Sequence, residues 1–469
     1  MNYFQSHSLP ADAGIVAAWD SEMARAKEIP SLARLIAERG AEVYPEFAKR
    51  YAEVRALSRG ARRALQRRLA ASRDLAQIPA EWQRRLAYSI AGAALLLVLS
   101  EAPLRAATIN VGPGCTLSDA ILSANRDTSY GSCTAGASGP DTIVIPAKSK
   151  IVLTSILSID YGTAGLPTVT TPITITGNGA SISRSKKGQK MRLMTVGATG
   201  DLTLNNLTLS GGYSYYAGGA IYNAGILEVN NCIFSGNTAY AGAVANFGAN
   251  PYNLNAIGTT TITGTTFTKN FGYKYGGGVY NVLGTMDIHN STITGNRAQY
   301  GGGITNGDNG ILEIENSTVS KNTAYIGGGI SNYNGHVTID PTTITGNKAY
   351  LGGGIATAYG TVNIDNSTIV KNSSRAGGGG IANFNSALNV YNSSLITGNK
   401  GGPFGGGVLN CGYFTLTNST ITTNSAKAAG GGVANISGTY GPYSCSYTFI
   451  NNGTVSGNKA KVYANIFYY

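Results

Sequence analysis

The chain has 469 residues and a formal net charge of +12, yet only 12% of its residues are charged. Glycine is frequent, with 64 residues, while 42% of the chain is hydrophobic, so the composition excludes a disordered polar chain. It favours many short strands joined by glycine-rich turns. Residues 1–107 hold almost half of the basic residues, which indicates two physically different regions.

Residues 1–83 are predicted to form an α-helical extension. Apolar residues follow a three-to-four spacing between residues 31 and 57 and again from Leu57 to Leu69. The second stretch carries arginines on its other face: Arg59, Arg62, Arg63, Arg67, Arg68 and Arg73. No aromatic residues are interleaved with them, so we favour a solvated helix face over a surface for nucleic acid or lipid, and expect no nucleic-acid partner.

Residues 84–107 have the pattern of a signal peptide or a membrane anchor. Arg84 and Arg85 precede the uncharged apolar run 86–99, and small residues follow before Thr108. The run is shorter than the about 20 residues that a membrane-spanning helix needs. Cleavage before Thr108 would release the rest of the chain, whereas an uncleaved segment 86–99 would be its membrane contact, and both alternatives stay open. We expect the rest of the chain to be exported, to the periplasm, the outer membrane, the cell surface or the medium.

A repeat of about 25 residues dominates the second half of the sequence. The phrase GGAIYN at 218–223 returns in forms such as GGGVYN, GGGITN and GGGISN, and a second phrase, such as TGN or SKN, keeps the same period. The asparagines of the second phrase are Asn237, Asn270, Asn296, Asn322, Asn347, Asn372, Asn399, Asn424 and Asn458. We expect these asparagines to stack as an inner ladder, and the β-branched residues after the glycines to point inward.

Three short strands and three turns in each period predict an all-β fold, a right-handed parallel β-helix. Strands this short cannot bury a face alone, but stacking each strand on its copy in the next period does bury it. The β-helix is expected over residues 147–469, with 108–146 as its N-terminal cap. A short helix around Leu117 and Ile121 is expected to cover the open N-terminal end of the core.

Several motifs are similar to those of a large bacterial family of exported right-handed β-helix proteins. CTLSDAILSAN at 115–125, followed by GPDTIVIP at 139–146, resembles the CSLREA-like opening motif of that family, although Ser118-Asp119 stand where Arg-Glu is usual. GGAI at 218–221 and FSGN at 234–237 resemble the GGAI and FxxN repeats of polymorphic outer-membrane proteins. The resemblance implies a pectin-lyase-like solenoid and an exported location, and it transfers no catalytic residue.

Acidic residues gather on the outward side of the middle strands. Aligning the inward pairs of successive coils brings these residues onto one face: Asp287, His289, Glu313, Glu315, Asp340 and Asp365. One interpretation is a cation or sugar site, because neighbouring carboxylates also suit a retaining glycosidase. We favour the other, a solvated face whose charges keep rods from stacking sideways, because a strand surface offers no evident cleft.

Tyrosines recur one or two residues before the glycine phrase. The candidates are Tyr240, Tyr275, Tyr300, Tyr325 and Tyr350. Rings repeated along a rod can stack on sugar rings, which makes them candidate glycan-binding residues. The favoured alternative is that they stack on one another and shield the turn.

All five cysteines follow residue 107. An exported protein could pair Cys115 with Cys133 and Cys411 with Cys445, leaving Cys232 over, while the alternative is five reduced, buried thiols. No CxxC spacing and no nine-residue calcium-binding repeat occurs, and we expect no metal and no cofactor.

The sequence thus favours an exported or surface structural protein, similar to an adhesin. Its expected partners are polysaccharides or cell-surface ligands bound along the rod, and its oligomeric state is left open. No catalytic residues are assigned, because no nucleophile elbow and no Ser-His-Asp order stands out. The alternative is a polysaccharide-active enzyme, a lyase or a glycoside hydrolase, which the fold analogy and the acidic face motivate.

Overall fold

The computed structural model describes residues 106–248, 258–436 and 447–468, together with two helical positions, Leu65 and Arg67. The chain divides into two units with the boundary between Leu104 and Arg105, and the fold below is that of the second unit. The predictions for the extension 1–83 and for the signal-like segment 84–107 fall almost wholly outside the described residues. Among the described residues, no helix has the length and apolar character to cross a membrane.

The described part of the second unit is a parallel β-solenoid of the right-handed type with about 10 turns, so the predicted fold class is confirmed at this level. Each coil contributes one strand to each of three columns, and strands of successive coils pair in parallel and in register. Ile304, for example, pairs with Val279 in the preceding coil and with Ile330 in the following one. The sequence period is therefore one turn of the solenoid.

The strands are short, and their bounds follow by column. The first column consists of Met194–Val196, Ile221–Asn223, Val244–Phe247, Val279–Val282, Ile304–Gly307, Ile330–Tyr333, Ile355–Ala358, Val433–Asn435 and Ile466–Tyr468. The second consists of Thr108–Asn110, Asp141–Val144, Ile226–Asn230, Thr259–Thr263, Thr285–His289, Ile311–Glu315, His336–Asp340, Thr361–Asp365 and Tyr447–Asn451. The third consists of Lys150–Leu153, Ile233–Ser235, Thr266–Thr268, Thr292–Thr294, Thr318–Ser320, Thr343–Thr345, Thr368–Val370, Leu395–Thr397, Thr420–Thr422 and Thr454–Ser456.

A few strands depart from this simple scheme. Long strands that turn a corner belong to two columns: Pro172–Arg184 and Asp201–Ser210 to the second and third, Ile381–Tyr391 and Val408–Thr417 to the first and second. Short strands also pair between the third column and the next first-column strand: Tyr213–Ala217, Thr238–Ala241, Phe271–Tyr275, Lys348–Leu351 and Ser373–Gly377.

The core is a stack of aliphatic side chains that runs along the solenoid axis. In the second column Leu312 and Ile314 point inward and are 1% and 0% exposed, while Glu313 and Glu315 between and after them are on the outer side. Ile330 of the first column is fully buried, between Ile304 and Ile355 in the neighbouring coils. The inward assignment made from the sequence is confirmed, and each coil buries its apolar face only against other coils.

The recurrent asparagine after the third column forms the expected ladder. The side-chain amide of Asn322 donates to the carbonyl of Ile293 at 2.9 Å and to Oδ1 of Asn347 at 3.1 Å. The backbone N–H of Asn322 also donates to that Oδ1, at 2.9 Å. The same three bonds repeat from coil to coil, from Asn237 to Asn424, so these buried amides are satisfied within the stack.

A second ladder, which the sequence did not reveal, uses the asparagine that ends the glycine phrase. The side-chain amide of Asn281 donates to Oδ1 of Asn306 at 2.8 Å, and that of Asn306 donates to Oδ1 of Asn332 at 3.0 Å. At the next coil Thr357 takes the place of asparagine and accepts from Asn332 at 3.2 Å. The glycines of the glycine phrase allow the backbones of neighbouring coils to approach closely, since a Cβ on Gly328 would clash with the carbonyl oxygen of Gly353 in the next coil.

The helix Leu117–Arg126 belongs to the N-terminal cap. Thr116 and Asp119 form a capping box at its N-terminus, with the Asp119 N–H donating to Oγ1 of Thr116 at 3.1 Å. Its buried face, which includes Leu117 and Ile121, joins the hydrophobic core of the first coils. The helix expected from the motif at 115–125 is therefore present, and Asp119, which departs from the usual motif, has a local structural role.

Candidate functional site

The acidic face lies on the outer side of the second column. Parallel register places Asp287 opposite Glu313, and it places His289, Glu315 and Asp340 in one row on three successive coils. His289 Nδ1 lies 3.1 Å from Oε2 of Glu315. The structure thus brings these predicted residues together, with Asp287 buried and Glu315 exposed over 43% of its side chain.

Neighbouring carboxylates change the titration of Asp340. Its pKa is raised, first by desolvation and then by the negative charges of Asp365, Glu315 and Glu313. Asp365 therefore belongs electrostatically to the same cluster. Within the described residues, however, no group of three or more His, Cys, Asp and Glu side chains is arranged to hold a metal ion. The face is a flat strand surface with mutual charge repulsion.

The candidate tyrosines lie on a different part of the solenoid, the turn that leads from the third column to the first. We define the third-turn edge as the residues that flank each ladder asparagine and continue to the glycine phrase: 236–241, 269–275, 295–300, 321–326, 346–351, 371–377, 398–404, 423–429 and 457–463. Bridges between coils link Tyr275 to Tyr300 and Tyr300 to Ile326. Tyr325 and Tyr350 each lie one residue before the bridged position, so the tyrosines occupy two rows and not one.

The two rows differ in exposure and stacking. Tyr325 and Tyr350 are 51% and 45% exposed, and their rings stack with centroids 4.8 Å apart. Tyr275 and Tyr300 are half-buried, with centroids 5.6 Å apart. Tyr240 is 41% exposed and packs edge-on against Tyr275. Ring-on-ring stacking along the edge is therefore present, as one alternative expected, while the outer row keeps about half of its surface in water.

A groove of about 350 Å³ opens on the third-turn edge. Its lining comes from three successive coils: Phe271, Tyr273, Arg297, Ala298, Gln299, Thr323, Ala324 and Tyr325. Tyr273 is 52% exposed, and Arg297 is also exposed. Sequence reasoning missed Tyr273 and Arg297. The available signal was their fixed place, Tyr273 three residues and Arg297 one residue after a ladder asparagine, where side chains must point out of the coil.

Lys274 lies over two aromatic rings near the N-terminal end of this edge. Lys274 Nζ is 5.0 Å from the Tyr275 ring centroid and 5.8 Å from that of Tyr240. Hydrogen bonds that its ammonium donates to the hydroxyls of Tyr275 and Tyr240 raise the pKa of Lys274. Such contacts hold a positive charge beside the faces of the aromatic rings.

A disulfide links Cys115 to Cys133, with 4.7 Å between their Cα atoms. It joins the residue before the capping box to the segment that follows the cap helix. Cys411 is buried in the core, and Cys445 lies outside the described residues, so their pairing stays a prediction. Cys232 is a buried thiol, and burial raises its pKa to about 11.

Comparison with known proteins gives no relative that decides the function. No family model, no curated protein and no solved structure matches the chain.

Proposed function

We propose that the solenoid is an exported, surface-associated rod that binds glycans along its third-turn edge. The observation that carries the proposal is a set of tyrosines at the groove: Tyr273, which lines it, and Tyr325 and Tyr350 of the outer row, each about half exposed. Half-exposed rings on nearby coils offer apolar platforms for the C–H faces of sugar rings, and the groove beside them supplies polar groups.

The export half of the proposal rests on the sequence before Thr108 and on the resemblance to exported β-helix proteins with a CSLREA-like motif. The disulfide between Cys115 and Cys133 is consistent with an oxidising compartment. A repetitive rod with solvated faces is a suitable scaffold for adhesion, because successive coils align equivalent positions along one face.

The test is glycan-array binding of the full chain and of two matched double variants. Tyr325→Ala with Tyr350→Ala removes one stacked pair from the third-turn edge. Tyr413→Ala with Tyr447→Ala removes another stacked, exposed pair, with centroids 5.3 Å apart, from the second column. The proposal expects binding to be lost in the first variant and kept in the second. It fails when wild-type protein binds no glycan, or when both variants bind as the wild type does.

The acidic face motivates the alternative of a polysaccharide-active enzyme, because it holds neighbouring carboxylates and one of them, Asp340, has a raised pKa. The groove, however, is lined by edge residues and by none of the acidic-face residues. Depolymerisation of a bound glycan that disappears in Asp340→Asn would replace the adhesive proposal with the enzymatic one.

A further inference from the structure

The basic residues of the later coils all lie on one edge. In the described residues from 258 onward, every lysine and arginine belongs to the third-turn edge. They are Lys269, Lys274, Arg297, Lys321, Lys348, Lys371, Arg375, Lys400, Lys427, Lys459 and Lys461. All are exposed except Lys274, which is half-buried.

The acidic residues of the same coils lie elsewhere. They are Asp287, Asp308, Glu313, Glu315, Asp340 and Asp365, on the second column or in the turn that precedes it. In the part of the chain that the structure describes, no ion pair joins an edge cation to a carboxylate. The positive charges of the third-turn edge are therefore not neutralised by the coils that carry them.

The cations follow a regular pattern along the rod. In the position after the ladder asparagine, bridged from coil to coil, basic residues alternate with hydroxyl residues: Arg297, Thr323, Lys348, Ser373, Lys400, Ser425 and Lys459. In the position before the asparagine, lysine alternates with glycine in the opposite phase: Lys269, Gly295, Lys321, Gly346, Lys371 and Gly398. From Lys269 to Lys400 each coil thus presents one cation at these two positions, at intervals of about 4.8 Å.

Stability alone does not explain this pattern. Lys269, Lys321 and Lys371 have φ values of 55°, 54° and 55°, the left-handed region that glycine occupies at the same place in alternate coils. A lysine there is strained relative to glycine or asparagine, and it adds unpaired positive charge. The opposite phases keep like charges from facing each other directly, which limits repulsion but leaves a continuous positive row. Strain and unneutralised charge held in a repeated arrangement point to a ligand.

We infer that the third-turn edge binds a linear acidic polysaccharide with about one carboxylate per sugar, laid along the rod axis. The inference rests on the proposed glycan binding and names its ligand class. One cation per coil matches one charge per sugar ring in an extended polyuronate, and the outer tyrosines supply stacking between the cations. Duplex DNA carries one charge per about 1.7 Å of axis, which fits this spacing poorly.

The test measures binding of the full chain to alginate oligomers, to dextran as a neutral glucan, and to a single-stranded oligonucleotide. Lys348→Gln with Lys400→Gln removes two cations from the edge. Lys148→Gln with Lys150→Gln is the matched control, because it removes two exposed cations that lie outside the third-turn edge, in the turn before the strand Lys150–Leu153 and at that strand's first residue. We expect alginate binding to weaken about tenfold in the edge variant, to be unchanged in the control, and to weaken with added salt.

The outcomes separate this inference from the proposed function. Wild-type binding to neutral glycans that depends on Tyr325 and Tyr350, with no alginate binding, keeps the proposed function and overturns the polyuronate ligand. Equal weakening in both lysine variants overturns the edge as the site, because it would report only net charge. Tighter binding of the oligonucleotide than of alginate overturns the ligand class.

Discussion

At the scale of single residues, the solenoid separates inward positions, where each side chain touches its copies, from outward positions in water. Ile330 is fully buried between Ile304 and Ile355, whereas Glu315 is on the outer side with 43% of its side chain exposed. Any polar group placed in the inward stack meets only apolar neighbours above and below it. The two kinds of position should therefore respond very differently to substitution.

Replacing Ile330 with Asp should lower the free energy of unfolding by several kcal/mol, because it buries a charge without a partner. Glu315→Gln should change it by less than about 0.5 kcal/mol, since a surface contact with His289 contributes little. Chemical denaturation of both variants is the measurement, and Ile330→Val is the control for packing. Equal shifts for the Asp and Gln variants would contradict the inward and outward assignment.

Asp340 gives a pH prediction at the same scale. Its pKa is raised above the usual 3.8, so the folded chain holds this proton more tightly than the unfolded chain. The contribution of Asp340 to the free energy of unfolding is therefore fully present below about pH 3.8, where its carboxyl is protonated. This contribution is lost as pH rises through the raised pKa of the folded state. Asp340→Asn should therefore melt slightly higher than wild type near neutral pH, and the difference should vanish in acid. Thermal melting against pH tests this, with Thr338→Asn as control; a lower melting temperature for Asp340→Asn at neutral pH would be the contrary result.

Among the strands and turns, much of the architecture could be predicted because the same pattern of glycines, alternating apolar residues and asparagines recurs in each coil. The glycine phrase and the alternating strands fixed the inward residues, and the asparagines after the third column formed the ladder that their period indicated. The second ladder, which includes Asn281 and Asn306, was missed because these asparagines end the glycine phrase, and asparagine after glycines is typical of a turn. The tyrosines fall into two rows because Tyr275 and Tyr300 lie one residue before the glycine phrase, whereas Tyr240, Tyr325 and Tyr350 lie two residues before it. A shift of one residue along an extended chain turns the ring to another side.

The asparagine ladder should be a main source of cohesion between coils. Asn322→Ala would leave the carbonyl of Ile293 and the amide of Asn296 without their bonds in a buried site. We expect a loss of roughly 2–4 kcal/mol in the free energy of unfolding. Thr323→Ala, an exposed neighbour, is the matched control and should stay close to wild type. Similar denaturation midpoints for the two variants would show that the ladder contributes little.

In the molecule as a whole, we propose that the region before Thr108 and the solenoid after it end up in different cellular compartments. The candidate site was predictable in part: the acidic face and the tyrosines were found as residues, but the groove was not. Its lining comes from three coils, and only the turn geometry brings Tyr273, Arg297 and Tyr325 together. The charge pattern of the third-turn edge was present in the sequence, yet it emerges only when positions are counted from the ladder asparagines.

Export predicts that residues before and after Thr108 reach different compartments. The preceding arginines should hold the first region in the cytosol by the positive-inside bias, while the solenoid crosses the membrane. Fractionation of cells that carry tags at both ends, with thiol labelling of the C-terminal product, measures this. We expect Cys115 and Cys133 to be protected from labelling until reduction. A full-length cytosolic chain with all cysteines reactive after denaturation would defeat the prediction.

The third-turn edge as the ligand-binding surface is tested most directly by hydroxyl-radical footprinting of the full chain with a bound glycan. Tyrosine rings at the edge and on the second column start with similar exposure, so they form an internal comparison. We predict that the bound glycan lowers the rate at which hydroxyl radicals oxidise Tyr273, Tyr325 and Tyr350. Tyr413 and Tyr447 should be oxidised as fast as in the free protein. Protection confined to Tyr413 and Tyr447 would contradict it, because the ligand would then lie on the second column.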